Sequence, residues 1–214
     1  MNNLNKAEKK FKNFCKERQW KIYKIPELPG IQTPDFFVVT NNRVFICEVK
    51  ELSKSGAQRK DITEFKNEKD KIVGVHLDYN KEIDSIINKI DNARSQFRTT
   101  SSFGLPSVLV IYSERFRPID KDMLFRAVYG KSFPTAKFDK SKGKFIFKKE
   151  YTKFLDKSCR KDKNNLISAV AIPNRQNGMF VLHNLWASVP LPVFVFNKED
   201  DKNYIPGEIT FKEI

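Results

Sequence analysis

Apolar residues return every three or four positions near the start of the chain, at Leu4, Ala7, Phe11 and Phe14. That period collects them on one side of a helix, so residues 5–19 are expected to form an amphipathic helix. The pattern then changes to short extended runs. Trp20 to Ile25 is the first, closed by Pro26, Pro29 and Gly30, which break regular structure. Asp35 to Val39 and Val44 to Lys50 are the next two, joined by Thr40-Asn41-Asn42-Arg43. Asn tolerates the left-handed backbone of a tight turn, so the two runs are expected to pair as a hairpin. Residues 51–71 are polar and mixed in charge, as in a loop. The helical period resumes over residues 81–98, with Ile83, Ile86, Ile87, Ile90, Ala93 and Phe97 on one face. Ser107 to Tyr112 is a continuous apolar run, suited to a strand covered on both faces.

The second half is patterned less sharply. Residues 120–129 suit a short helix, and residues 136–149 a hairpin turning at Ser141-Lys142-Gly143. Leu166 to Ile172, Met179 to His183 and Val193 to Phe196 read as three further strands. Nothing in the 214 residues repeats, and no composition break demands a second domain. The expectation is one α/β domain over residues 1–214, with a mixed central sheet, two flanking amphipathic helices and additional C-terminal strands. Nineteen Phe residues point to an aromatic-rich core.

Charge narrows the partners. The formal net charge is +14 and the pI about 9.6, a balance that favours a polyanion, nucleic acid before an anionic membrane surface. The plainer account is that Lys fills ordinary surface positions. No run approaches the roughly 18 apolar residues of a membrane span, and Met1 to Lys12 lacks the apolar stretch of a signal peptide. Cys15, Cys47 and Cys159 are scattered and odd in number, without metal-ligand spacing, and read as reduced thiols of a cytoplasmic protein.

The chemistry is concentrated in Pro34-Asp35, followed after twelve residues by Glu48-Val49-Lys50. Strand side chains alternate, so Glu48 and Lys50 share a face, and a hairpin can bring Asp35 beside them. Val44, Phe45, Ile46, Cys47 and Val49 surround these charges. An uncompensated charge in such company is costly, and two carboxylates repel each other. A divalent cation relieves both problems. Hard oxygen ligands suit Mg²⁺ or Mn²⁺, and the Val49 carbonyl could add a third ligand. Beside such an ion, Lys50 could orient an attacking water or stabilise a crowded phosphorane.

These residues resemble the signature of the PD-(D/E)xK nuclease superfamily. The resemblance covers roughly residues 4–112, through Pro34-Asp35…Glu48-Val49-Lys50 and the element order αβββαβ. The first half is most similar to archaeal Holliday-junction resolvases and small restriction-type enzymes. The resemblance implies a restriction-endonuclease-like core and Mg²⁺-dependent, endonucleolytic hydrolysis of DNA, with double-stranded DNA as partner. A homodimer is compatible with such a protein and stays open. The resemblance also implies a metal-binding Glu on the first helix, which Glu8 matches by position, with Glu17 as the second candidate. Several of these families carry a Lys or Gln on the second long helix that faces the site. In Ala93-Arg94-Ser95-Gln96, resemblance favours Gln96 at the site, whereas Arg94, a candidate nucleic-acid contact, lies nearer the centre of the apolar face; the plainer reading is a helix-edge Gln and a snorkelling Arg. The alternative function is a non-catalytic nucleic-acid-binding module on the same fold. The plainest reading is a surface hairpin whose ends carry ordinary Glu and Lys.

A basic insertion over residues 131–165 adds to the charge. Residues 137–163 hold eleven Lys or Arg against four Asp or Glu, a net +7. Lys140, Lys142, Lys144, Lys148 and Lys149 are candidate phosphate contacts, or else a solvated face. The interleaved Phe138, Phe145, Phe147, Tyr151 and Phe154 read as inward strand residues rather than stacking platforms. His76 and His183 stand alone and read as structural, and no Ser-His-Asp or Cys-His signature is present.

Overall fold

The computed structural model describes residues 4–27, 29–41, 43–54, 79–115, 118–129, 165–174, 177–184 and 186–204, and the backbone course of 132–139 and 144–151. The elements are α1 (Lys6–Glu17), β1 (Lys21–Lys24), β2 (Phe36–Val39), β3 (Val44–Leu52), α2 (Tyr79–Arg98) and β4 (Ser107–Ser113). They continue as α3 (Lys121–Tyr129), β5 (Ser132–Asp139), β6 (Lys144–Tyr151), β7 (Ala169–Pro173), β8 (Met179–His183) and β9 (Lys202–Tyr204). Seven strands form one mixed sheet in the order β1-β2-β3-β4-β7-β8-β9, and β5 and β6 pair separately. The β2–β3 and β1–β2 pairs are antiparallel, whereas β3, β4 and β7 run parallel. The protein is thus α/β with a mixed seven-stranded sheet. Among the described residues no helix is long and apolar enough to cross a membrane.

Local chemistry explains the first helix. Asn5 caps α1 by accepting from the Glu8 backbone N–H, and the Glu8 side chain reaches back to the Asn5 N–H. This reciprocal pair satisfies donors that a helix start otherwise leaves open. Gln19, at φ 59°, turns the chain out of the helix. Beside it the buried Arg18 pairs with Asp201 at 2.7 Å.

The central strands separate two apolar layers by alternation. Phe45, Cys47 and Val49 face α1 with Phe11, Phe14 and Phe36. Ile46 and Leu52 face α2 and α3, with Ile86, Ile90, Phe97 and Met123. Glu48 and Lys50 share the parity of Ile46 and therefore lie on the α2 side. The first layer is aromatic, as the Phe content led us to expect, with Phe14, Trp20, Phe45 and Phe196 in mutual ring contact.

Two expectations need correction. Val193 to Phe196 is no strand: Val193–Val195 forms a 3-10 turn. Pro190 and Pro192 just before it lack the N–H that a ladder needs, and Val195 and Phe196 are buried as a plug against the α1 layer. The strand read at Leu166 begins only at Ala169. One strand, β9, was not anticipated. Three residues, Lys-Asn-Tyr, are too few to show alternation, yet they pair parallel to β8. The expected hairpin over 136–149 is present as β5 and β6, while its turn residues 140–143 and most of the expected loop at 51–71 lie outside the described residues.

Candidate active site

The site exists because β3 is nine residues long and β2 only four. Pairing between them ends at Phe36 opposite Cys47, so Glu48, Val49 and Lys50 run on past their neighbour. Asp35 directly precedes Phe36, so it stands where the pairing stops, next to the part of β3 that runs on. Val49 directs its N–H toward the edge that β2 has vacated, and Asp35 Oδ2 accepts it at 2.8 Å. N–H and C=O of one strand residue project to the same edge, so the Val49 carbonyl points to the same open side.

Glu48 is almost fully buried, with 1% of its surface exposed. Its Oε1 lies 2.5 Å from Lys50 Nζ. Its Oε2 has no hydrogen-bond partner among the described residues. Burial, then the charge of Asp35 and the hydrogen bond that a protonated Glu48 can give to it, push its pKa up to about 7, against the opposing pull of Lys50. Lys50 is held from its other side by Gln96 Oε1 at 2.7 Å, and Gln96 Nε2 donates to the Thr33 carbonyl at 3.2 Å. One α2 amide therefore fixes both the ammonium and the loop that leads into Asp35.

Sequence reasoning missed Lys24. Its ammonium donates to Asp35 Oδ1 at 3.0 Å and to Glu8 Oε1 at 3.2 Å. Burial pulls its pKa down, but Asp35 and Glu8 more than offset this and hold it above its ordinary value. The extended run ending at Ile25 was legible; what brings its last Lys to Asp35 is the β1–β2 register, Lys24 opposite Phe36, across a long intervening loop. Lys24, Asp35, Lys50 and Gln96 line an open cavity of about 500 Å³, together with Asn92 and residues of the loop from Ile31 to Pro34.

The structure brings Asp35, Glu48, Val49 and Lys50 together with Gln96, and joins Glu8 to them through Lys24. Glu17 sits exposed in the last turn of α1, away from this group. Arg94 is half-buried and pairs with Asp91 at 3.5 Å, outside the cavity lining. Lys144, Lys148 and Lys149 lie on β6, opposite Asp139, Thr135 and Pro134, while Lys140 and Lys142 lie outside the described residues, as does His76. His183 is buried, with Nε2 2.9 Å from Asn203 Oδ1 and its carbonyl accepting from the Tyr129 hydroxyl, a structural arrangement. Among the described residues no three His, Cys, Asp or Glu side chains converge as a ready-made cage. The donor set at the end of β3 is two carboxylates and one backbone carbonyl.

No family model, curated protein or solved structure matches this chain.

Proposed function

We propose that the protein is a metal-dependent phosphodiesterase acting on nucleic acid. More particularly, it is read as a DNA endonuclease with a restriction-endonuclease-like core, of the PD-(D/E)xK type. The observation that carries this reading is the half-satisfied Glu48. A buried carboxylate oxygen without a partner is costly, and Asp35, which accepts the Val49 N–H, adds a second negative charge beside it. The oxygen-only donor set fits Mg²⁺ or Mn²⁺. Asp35, Glu48 and Val49 would hold the ion.

Such an ion supplies Lewis acidity toward a phosphodiester oxygen and acidifies a bound water. The chain's own groups do the rest. Gln96 aims Lys50 along the edge of the cavity, where its ammonium can meet a non-bridging oxygen or orient the water. Lys24 adds positive charge on the other wall. Among the described residues, which leave out 55–78, the element order α1-β1-β2-β3-α2-β4 is compatible with the expected core order. A nucleic-acid partner is supported by the net charge of +14 and by a groove in which Lys9, Lys12 and Lys16 of α1 flank Trp20.

A binding module without catalysis has one observation in its favour. Lys24 and Lys50 already neutralise part of the acidic group from within. Calorimetry separates the readings. Mn²⁺ titrated into the wild type should give saturable heat, and Asp35→Ala should lose it. Equal binding by both proteins would remove Asp35 from the centre.

The basic segment carries a separate expectation. If Lys140, Lys142, Lys144, Lys148 and Lys149 touch phosphates, replacing them together by Gln flattens the slope of log K against log salt. On duplex DNA the slope changes by about 0.9 for each phosphate that is no longer neutralised. Metal binding should be unaltered. An unchanged slope would assign those lysines to a solvated face.

A further inference from the structure

We infer that Lys24 is the built-in second cation of this centre: its ammonium fills the place between Glu8 and Asp35 that a second divalent ion would need, so the centre takes one metal ion and not two. The inference rests on the metal-centre reading above and goes beyond it in fixing the stoichiometry.

Three observations carry it. The first is the unequal state of the carboxylates. Glu48 leaves Oε2 without a partner among the described residues. Both oxygens of Glu8 are engaged: Oε1 accepts from Asn5 Nδ2 at 3.0 Å and from Lys24, and Oε2 accepts from the Asn5 N–H at 3.2 Å. Glu48 therefore keeps one oxygen without a donor, Asp35 accepts from Lys24 and from the Val49 N–H, and Glu8 is closed by a helix cap and an ammonium.

The second observation is that Lys24 is held in place. Its backbone is paired opposite Phe36, and the next residue, Ile25, donates its N–H to the Asp35 carbonyl at 2.9 Å. Its ammonium stands 5.0 Å from the centre of the Phe36 ring. The two hydrogen bonds to Asp35 and Glu8 thus extend from a strand already fixed against the residue it serves.

The third is charge. Glu8, Asp35 and Glu48 bring three formal negative charges, and Lys24 and Lys50 two positive ones. One divalent ion turns this net −1 into +1, a match for a singly charged phosphodiester. A second ion would leave +3 crowded into one small site, where like charges repel strongly.

The test counts bound Mn²⁺ by electron paramagnetic resonance, comparing free ion with total ion, on purified folded proteins without DNA. The wild type and Lys24→Arg are expected to hold one Mn²⁺ per chain. Lys24→Met uncovers the Glu8–Asp35 pair and is expected to hold two, the second more weakly. Glu8→Gln combined with Lys24→Met should return the count to one, since the second position then keeps only the Asp35 carboxylate, which the first ion already uses. Should Lys24→Met fail to fold, Lys24→Gln serves instead; its amide can still donate to a carboxylate but carries no charge, and it too should hold two. Two ions in the wild type, or one in a folded neutral variant at position 24, overturns the inference while leaving the metal centre standing. No Mn²⁺ in any variant overturns the metal centre itself and this inference with it.

Discussion

Lys50→Ala is expected to cleave DNA ~10²–10³ more slowly than the wild type, with DNA affinity changed only a few-fold. Its ammonium lies 2.5 Å from Glu48 Oε1 and 2.7 Å from Gln96 Oε1, so it is aimed before substrate arrives. Charge on the phosphoryl oxygens grows toward the transition state, and an interaction that strengthens along the reaction acts on rate more than on binding. One charge among 40 Lys and Arg contributes little to overall affinity. Lys50→Arg should recover only part of the loss, because a planar fork replaces a compact charge between two fixed oxygens. Single-turnover cleavage and binding isotherms, on proteins of matched thermal stability, read both quantities. A wild-type rate in Lys50→Ala would remove Lys50 from the chemistry.

Glu48→Gln should have an effect at least as large on cleavage and an opposite effect on stability. The Glu48 carboxyl titrates near 7 in the folded protein, raised from 4.5 chiefly by burial and then by Asp35. A group whose folded pKa is raised binds its proton more tightly in the folded state. Its favourable contribution is therefore complete at low pH and is lost as pH rises from about 4.5 through 7. Metal-free wild type should lose Tm over that window relative to Glu48→Gln, whose amide does not titrate, and the gap should level off above it. Saturating Mn²⁺ should then raise the wild-type Tm at pH 8, by the equivalent of about 2.7 kcal/mol when the ion stands at 100 times its Kd. The variant should not respond. Equal pH profiles for the two metal-free proteins would contradict the buried, ionisable Glu48 on which the site is built.

The parts of this site that were legible in the sequence are those set by short-range rules. Two-residue alternation put Glu48 and Lys50 on one face, and the 3.6-residue period put Ala7 and Phe11 inward with Glu8 beside them. The Asn-rich turn at 40–43 fixed the hairpin that brings Asp35 beside Glu48. Gln96 and Arg94 could not be separated by the period alone. The structure separates them through the path of the 31–34 loop, which hands Thr33 to Gln96. Lys24 depended on register across that same loop, which no local pattern encodes. The 3-10 turn at Val193–Val195 departs from the expected strand for a related reason: a short apolar run looks alike whether it joins a sheet or, as Val195 and Phe196 do, caps a core.

The proposed metal-dependent cleavage of DNA at Asp35, Glu48 and Lys50 is read on supercoiled plasmid, where a single cut changes the topology. Purified protein is incubated with plasmid in Mg²⁺ or Mn²⁺, in parallel with chelator and with Glu48→Gln. Nicked or linear products are expected from the wild type with metal, and none from the chelated or variant reactions. Folded wild type that leaves the plasmid intact with both metals, or Glu48→Gln that cuts it at the wild-type rate, would contradict metal-dependent cleavage at these residues.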